Sequence, residues 1–281
     1  MPFDWRGLLR ADVRRLPGRL WRRLSLSVRP DARGTFALPD GLRFECPLDT
    51  GLARALTVGV FEPAEQAFVR QTLRPGDLVL DVGANYGLFT LLAARRVGPA
   101  GRVYAFEPSA RERAGLLKNI AANGLTNVTV LEQAVADRPG LAQLAVARDG
   151  GLNALARNAH PEQAVTHWQP VSVTTLDDFV AGAGLPRVDF LKIDVEGAEA
   201  LVLRGAARLL AQTPAPTILC EFCDVTAAGF NSSGRQLYDL FQASGYALFQ
   251  LAGAAEARLV PAPPADQYPY QNLVALRRPA V

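Results

Sequence analysis

Residues 79–90, VLDVGANYGLFT, join an apolar run, an acid and a glycine-containing turn, a combination typical of backbone that approaches a ligand closely. Asp81 lies near the end of the apolar run, and helical spacing resumes at Leu88. The turn consists of Gly83, Ala84, Asn85, Tyr86 and Gly87. Glycine adopts left-handed backbone conformations without a steric penalty, so this composition favours a tight turn. The stretch therefore predicts a strand, a ligand-binding turn and a helix.

The chemistry of this turn argues against a ligand that presents phosphates to it. A dinucleotide-binding turn carries G-x-G-x-x-G, whose middle glycine lets the backbone approach pyrophosphate, and Asn85 occupies that position here. The Gly-Lys-Ser/Thr sequence of a nucleotide-binding loop is absent. The carboxylate of Asp81, where the strand meets the turn, would repel phosphates and attract a positively charged amino group. A nicotinamide-dependent oxidoreductase is kept as the alternative enzyme.

A second acid at a strand end narrows the choice of ligand. Glu107 and Pro108 end the next apolar run, VYAFEP, with Glu107 26 residues after Asp81. An acid at the tip of the second strand can accept hydrogen bonds from both hydroxyls of a ribose. A ligand with adenosine, a cationic amino acid and no phosphate is S-adenosylmethionine, the cofactor that we expect. Residues after the third strand should surround its adenine base, the last of them accepting a hydrogen bond from the amine: Ala134, Val135 and Asp137.

A third motif, VDFLKIDVEGAE at 188–199, contains a lysine and an acid in one predicted strand. Asp194 lies at the carboxyl end of that strand, the edge at which such sheets bind ligands. Lys192 shares its face, and a buried lysine is costly unless it is paired, so Asp194 or Glu221 on the neighbouring strand is the expected partner. In a functional interpretation Asp194 holds the donor or the acceptor hydroxyl, and Lys192 is its partner or a base. In a structural interpretation the lysine and the acid form only an ion pair.

The bound cofactor would make methyl transfer an in-line displacement, in which positioning the acceptor oxygen contributes most of the catalysis. A base that removes the hydroxyl proton would add about 10²–10⁴-fold. The candidate bases are Asp194, Lys192, Glu221, His160 and His167. Both histidines lie in residues 148–170, an interruption of the strand–helix rhythm that is expected to cover the substrate. Cys220 and Cys223 are expected to be buried and inert, and no metal site is assigned.

The elements that must position these residues alternate between strands and helices. Strands are predicted near 78–82, 102–106, 128–134, 188–194, 216–222, 246–250 and 272–277, and helices near 62–73, 86–97, 110–123, 175–181, 198–211 and 234–244. This α/β alternation predicts a mostly parallel sheet with helices on both faces and an antiparallel C-terminal strand pair. Asp40-Gly41 between two short β-like runs predicts a hairpin. Residues 251–271 form a second interruption, in which Tyr268 and Tyr270 either stack on a sugar ring or cap the sheet.

Three stretches of the chain resemble the FkbM family of S-adenosylmethionine-dependent methyltransferases: GDLVLDVGANYGLFTLLAA, GRVYAFEPSARERAGLLKNIAANGLTNVTVLEQAVADRPG and VDFLKIDVEGAEALVLRGAARLL. The resemblance rests on D-V-G-A-N-x-G, F-E-P and K-I-D-V-E-G-x-E in combination. It runs from about 60 to 222 and extends weakly to the C-terminus through QNLVAL. It implies a seven-stranded Rossmann-like sheet and, usually, O-methylation. The acceptors that it implies are sugars, glycolipids and polyketide-type natural products.

The charge of the chain is concentrated in an N-terminal arm that lies outside the resemblance. Residues 1–33 contain nine Arg and three Asp, a net charge of +6, whereas the remainder carries a net charge of −3. The arm is predicted to be a basic helical segment with an apolar face. It either rests on an anionic membrane surface or a partner, or packs on its own domain or on a second subunit of a homodimer.

The rest of the composition bounds the domain organisation and the partners. A single domain is expected at 34–281, with a donor-binding core at about 74–222. The acidic body argues against a nucleic-acid partner, and so against an RNA methyltransferase. Three cysteines and the lack of an apolar run of about 18 residues predict a cytoplasmic protein, peripheral at the inner membrane face where the arm binds lipid. A donor-binding or membrane-attached accessory protein is the alternative outside catalysis.

Overall fold

The computed structural model describes residues 32–155, 164–254 and 256–278. His160 and the predicted N-terminal arm, apart from Ala32 and Arg33, lie outside these ranges. Within them, no helix combines the length and the apolar character needed to cross a bilayer.

Strands and helices alternate along most of the described chain. The strands are β1 Arg33–Ala37, β2 Arg43–Pro47, β3 Leu78–Val82, β4 Arg102–Phe106, β5 Val128–Leu131, β6 Gln133–Val135, β7 Gly140–Ala147, β8 Val165–Thr174, β9 Phe190–Ile193, β10 Thr217–Phe222, β11 Tyr246–Ala252, β12 Arg258–Pro261 and β13 Gln271–Arg277. The helices are α1 Gly51–Thr57, α2 Pro63–Thr72, α3 Leu88–Val97, α4 Ala110–Ala122, α5 Leu176–Gly182, α6 Glu199–Arg204, α7 Ala207–Ala211, α8 Asp224–Ala227 and α9 Gly234–Ala243.

The main sheet has the strand order β12-β11-β13-β10-β9-β3-β4-β5. The five strands from β10 to β5 pair in parallel, and β13 runs antiparallel between β10 and β11, which confirms the mostly parallel sheet and the antiparallel C-terminal pair. This sheet has eight strands rather than the seven expected, because β12 pairs with β11 and adds a strand at the edge. All four residues of β12 are exposed, so it carries little of the apolar pattern that identifies a strand.

Helices cover both faces of this sheet, which explains why its central strands are continuous apolar runs. On β3, Leu80 belongs to a buried cluster that includes residues of α6 and α9, whereas Val79 belongs to a cluster with residues of α2 and α3. On β9, Leu191 and Phe190 divide between the same two clusters. Successive strand residues point to opposite faces, so the carboxyl ends of β3 and β9 are held from both sides.

A second sheet, of order β6-β8-β7, flanks the irregular segment expected at 148–170, and β8 takes up its last residues, 165–170. The single strand expected at 128–134 was wrong in its extent, because the chain divides between Leu131 and Gln133. β5 joins the main sheet, while β6 pairs with β8. His167 lies on β8 and is exposed.

The hairpin expected at Asp40-Gly41 is present as β1 and β2, and it packs on α4 through a buried amide. Asn119 on α4 accepts a hydrogen bond from Glu45 N at 2.9 Å and donates to Glu45 O and to Tyr86 O, each at 2.9 Å. One side chain therefore joins the hairpin, α4 and the glycine turn that follows β3.

Candidate active site

The glycine turn is fixed between the carboxyl ends of β4 and β9. Gly83 N and Ala84 N donate to Phe106 O at 3.1 and 3.0 Å. Gly83 has φ +85°, and a Cβ added there would overlap the carbonyl oxygen of Asp194. Glycine is required here both by the backbone conformation and by this close approach.

Asn85 adopts a left-handed conformation, φ +52°, at the position where a dinucleotide fold carries glycine. Asparagine tolerates this region better than most residues. Both polar atoms of its side-chain amide form hydrogen bonds. Its Oδ1 accepts from Tyr86 N at 2.7 Å, and its Nδ2 donates to Gly150 O at 3.0 Å. The turn is thereby joined to the segment that follows β7.

Glu107 is buried at the end of β4 beside this turn. Its Oε2 accepts from Asn85 N at 2.7 Å and its Oε1 from Ser109 N at 2.8 Å. Burial, followed by the Glu112 carboxylate, raises the pKa of Glu107 to about 8, although the two N–H groups act in the opposite direction. Each carboxylate oxygen has two lone pairs, so both oxygens keep acceptor capacity for a ligand.

Asp81 contributes an unsatisfied acceptor to the same site. Its Oδ2 accepts from Thr90 Oγ1 at 2.6 Å, whereas its Oδ1 is buried without a hydrogen-bond partner among the described residues. Burial raises the pKa of Asp81. A buried oxygen without a partner costs free energy, and an ammonium group would satisfy it. The donor set therefore fits a ligand with a cationic amino acid and a ribose.

Lys192 and Asp194 form an ion pair at the end of β9. Lys192 Nζ donates to Asp194 Oδ2 at 2.7 Å and lies 4.8 Å from the centre of the Phe89 ring. Burial alone would lower the pKa of Lys192, but Asp194, Asp81 and Glu62 outweigh it and raise the pKa. Lys192 is therefore protonated at neutral pH in this structure. This disfavours its interpretation as a base, and its partner is Asp194 rather than Glu221.

A cavity of about 330 Å³ joins these groups, within the range of small-molecule sites. It brings together most of the residues singled out in the sequence: Asp81, Gly83, Ala84, Asn85, Tyr86, Gly87, Glu107, Pro108, Ala134, Val135, Lys192, Asp194 and Glu221. Burial, followed by Asp194 and Glu196, raises the pKa of Glu221 well above its usual range.

Asp137 and His167, two of the predicted site residues, do not line this cavity. Asp137 is exposed beyond β6, where the chain turns away toward β7, and His167 is exposed on β8. The structure therefore does not bring Asp137, expected near the adenine, or His167, expected as a candidate base, together with the other predicted site residues. His160 lies outside the described residues.

The tyrosines of the segment 251–271 have separate roles. Tyr268 is 1% exposed and packs against Phe222, so it caps the sheet edge. Tyr270 lines the cavity, is 56% exposed, and donates from its hydroxyl to Glu62 Oε1 at 2.8 Å. Cys220 and Cys223 are buried free thiols, as expected.

Three acids of the cavity were not assigned to the site from sequence: Glu62, Asp149 and Glu196. Glu62 precedes α2, where it accepts from Tyr270 and from Asn272 Nδ2 at 3.0 Å, and its Oε2 is buried without a described partner. Burial raises the pKa of Glu62 to about 7, while Lys192 lowers it. Glu196 lines the cavity with a left-handed φ of +58°. Its position two residues after Asp194 was the available signal.

Comparisons with known proteins show similarity to methyltransferases of one family. A sequence model described as the methyltransferase FkbM domain matches residues 81–248. The chain is 31% identical to the 31-O-demethyl-FK506 methyltransferase FkbM of Streptomyces tacrolimicus over 203 residues, 62% of this chain and 76% of the relative. It is 28% identical to the 2-O-methyltransferase NoeI of Sinorhizobium fredii over 180 residues, 57% of this chain and 72% of the relative.

Among solved structures, Aeropyrum pernix fibrillarin with bound S-adenosyl-L-methionine aligns with a TM-score of 0.43 at 18% identity, over 90% of this chain and 86% of that one. The domain match covers more than half of the chain and leaves the oxidoreductase alternative without support. The expected enzyme class, an S-adenosylmethionine-dependent O-methyltransferase, is confirmed, and the chain belongs to the FkbM methyltransferase family.

Proposed function

We propose that this enzyme methylates a hydroxyl of a sugar, a glycolipid or a natural product of polyketide type. S-adenosylmethionine, when bound, supplies a methyl group on a sulfonium centre. The observation that carries the proposal is one cavity with two kinds of wall. The donor wall holds Asp81 and Glu107, which suit the donor. The second wall, the acceptor wall, holds Lys192, Asp194 and Glu221. The O-methyltransferase names of two relatives support a hydroxyl acceptor.

The donor wall assigns a role to each polar group. Asp81 Oδ1 accepts from the amino group, and the oxygens of Glu107 accept from the ribose hydroxyls. Gly83 keeps the backbone free of a side chain at the point of closest approach. The apolar residues Ala134 and Val135, both buried, form the surface for the adenine ring.

The second wall suits a polyhydroxylated acceptor. The Lys192–Asp194 ion pair and Glu221 supply a fixed donor and several acceptors within the cavity. The half-exposed ring of Tyr270 is available at the rim for a sugar face. Asp194 and Glu221 are the candidate acceptors of the hydroxyl proton. Most of the rate enhancement comes from holding the oxygen in line.

Donor binding is the first test, because it separates this proposal from its alternatives. Calorimetric titration with S-adenosylhomocysteine should give micromolar binding, NAD⁺ should give none, and Glu107→Ala should weaken the first at least tenfold. Glu256→Ala is the matched control, since Glu256 is exposed and does not line the cavity. Binding of NAD⁺, or unchanged affinity in Glu107→Ala, would contradict the donor assignment.

Methyl transfer is the second test. Hydroxylated acceptors should incorporate labelled methyl, and Asp194→Asn and Glu221→Gln should lower kcat with donor affinity retained. Donor binding without transfer to any hydroxyl acceptor would favour a non-catalytic accessory protein instead.

The charge of residues 1–33 extends the proposal to location. We expect this basic arm to bring a cytoplasmic enzyme to an anionic membrane surface, or to a second copy of the chain. Co-sedimentation of the full chain with phosphatidylglycerol vesicles tests the first expectation, and light scattering tests the second. Charge-reversed arm variants, Arg→Glu at positions 22 and 23, should lose vesicle binding.

A further inference from the structure

The carboxylates of Asp194, Glu196 and Glu221 converge in the cavity at the end of β9. One carboxylate oxygen from each lies within 4.8 Å of the others. Asp194 and Glu196 belong to the turn after β9, and Glu221 stands on β10, which pairs in parallel with β9. Oxygen atoms are the ligands that Mg²⁺ and Ca²⁺ prefer.

Glu221 supplies a second, independent observation. It is 3% exposed, and its Oε2 is buried without a hydrogen-bond partner among the described residues. The free energy cost of such an oxygen is large unless a ligand satisfies it. A cation beside this oxygen would also offset the mutual repulsion of three ionised acids that lie close together.

The charges around the cavity leave this repulsion uncompensated. The described lining residues include seven acids: Glu62, Asp81, Glu107, Asp149, Asp194, Glu196 and Glu221. They include two bases, Arg54 and Lys192. Arg54 lies 3.8 Å from Asp149, and Lys192 contacts Asp194. No lining base among the described residues contacts Glu196 or Glu221.

The local backbone holds Glu196 in place. Glu199 Oε1 accepts from Val195 N and Gly197 N, each at 3.1 Å, which closes the turn on both sides of Glu196. A Cβ added at Gly197 would overlap the carbonyl oxygen of Thr226, so the turn is packed directly against α8. The backbone on both sides of Glu196 is therefore fixed, with its carboxylate close to that of Glu221.

We infer that Asp194, Glu196 and Glu221 bind one divalent hard cation, of the Mg²⁺ or Ca²⁺ type. Ca²⁺–oxygen distances of about 2.3–2.6 Å span oxygens up to about 5 Å apart, so the present separation suits Ca²⁺, and a small contraction suits Mg²⁺. Water molecules would complete the coordination. The cation would neutralise two carboxylate charges beside the acceptor wall and would polarise a hydroxyl bound to it.

Cation binding is tested on the full chain without donor or acceptor, so that its failure is distinct from failure of the proposed function. After treatment with a chelator, the protein is titrated calorimetrically with CaCl₂ and, separately, with MgCl₂. We expect saturable binding of one equivalent, with at least tenfold weaker binding in Glu196→Gln and in Glu221→Gln. Glu256→Gln, an exposed site away from the cavity, should bind as the wild type does.

A second measurement guards against variants that fail to fold. Each variant is checked for a cooperative thermal transition and for binding of S-adenosylhomocysteine. The cation should raise the Tm of the wild type and of Glu256→Gln, and leave the Tm of the two cavity variants unchanged. Absence of saturable binding by the wild type up to 10-millimolar cation, or equal binding by folded Glu196→Gln and Glu221→Gln, would overturn the inference. A protein that binds S-adenosylhomocysteine but no cation would leave the proposed function standing.

Discussion

Gly83→Ala is the substitution whose effect follows most directly from the structure. Gly83 has φ +85°, and a Cβ there would overlap the Asp194 carbonyl oxygen. A side chain in the left-handed region costs about 1–2 kcal/mol. Overlap with backbone cannot be relieved by rotating a side chain, and forced overpacking adds about 1–3 kcal/mol. We therefore expect the free energy of unfolding to fall by about 2–5 kcal/mol, the sum of these two costs.

Gly76→Ala separates the two costs. Gly76 has φ +90°, but a Cβ added there would meet nothing within 4 Å. Its substitution should cost only the conformational part, about 1–2 kcal/mol. The difference between the two variants then measures the close approach of the turn after β3 to the end of β9.

Urea unfolding of both variants is monitored by circular dichroism and fitted with a common m-value. Calorimetric titration with S-adenosylhomocysteine measures the donor affinity of each variant. Gly83→Ala should also lose donor affinity, because the turn and Asp194 line one cavity, whereas Gly76→Ala should retain it. Equal destabilisation by the two substitutions, or full donor affinity in Gly83→Ala, would refute the close approach as the reason for glycine.

Three further predictions test other parts of the site. The pKa of Glu107 is raised to about 8 from 4.5. Its contribution to the free energy of unfolding is therefore full below pH 4.5 and is lost as the pH rises through 8. Urea unfolding between pH 5 and 8.5 should give a flatter profile of stability against pH for Glu107→Gln than for the wild type, and parallel profiles would contradict this. Lys192→Met leaves Asp194 and Asp81 without their cation and should destabilise the fold by roughly 3–5 kcal/mol, measured by urea unfolding; a stable variant would show that the ion pair is dispensable. Asn119→Ala removes three hydrogen bonds between the hairpin, α4 and Tyr86 and should cost about 2–4 kcal/mol, with weaker binding of S-adenosylhomocysteine in the same calorimetric assay; unchanged donor affinity would show that the glycine turn does not depend on this amide.

The central strands could be predicted closely because their burial on both faces leaves an unmistakable apolar run. β3 and β4 begin and end where the sequence predicted them. The same reasoning brings Asp81, Glu107 and Asp194 together, since parallel strands end at one edge of the sheet. The helix predicted at 198–211 divides at Gly205, where a Cβ would overlap the carbonyl oxygen of Ala136, a contact that no local pattern reveals.

The elements that sequence reasoning missed lack such a pattern. β7, GLAQLAVA, is rich in alanine, which is depleted in strands. The first half of β8 is largely exposed and includes His167 and Trp168, so its residues do not alternate between apolar and polar. α1 is a seven-residue helix capped by Thr50, too short for a helical period to stand out.

Glu62 was missed for a different reason, which bears on how the cavity is built. It lies 130 residues before Lys192 in the chain, and only the fold brings it to the same cavity. Its hydrogen bonds to Tyr270 and Asn272 close the cavity with parts of the chain beyond the three motifs. Such a residue can be found from tertiary structure but not from spacing.

The two walls of the cavity therefore differ in origin, and this difference explains why the donor could be inferred from sequence while the acceptor could not. The donor wall lies within 81–135, in motifs whose chemistry is set by one ligand. Beyond the second wall of Lys192, Asp194 and Glu221, the cavity is lined by residues within 50–54, 61–62 and 149–155 and by Tyr270. Gly51 N donates to Asp149 Oδ2 at 2.7 Å, and Asn85 Nδ2 donates to Gly150 O, so these segments are fastened to one another and to the donor turn. Substitutions along them can change the acceptor while the donor motifs stay the same, because the hydrogen bond that joins them to the donor turn, from Asn85 Nδ2, ends on the backbone carbonyl of Gly150 rather than on a side chain that faces the acceptor.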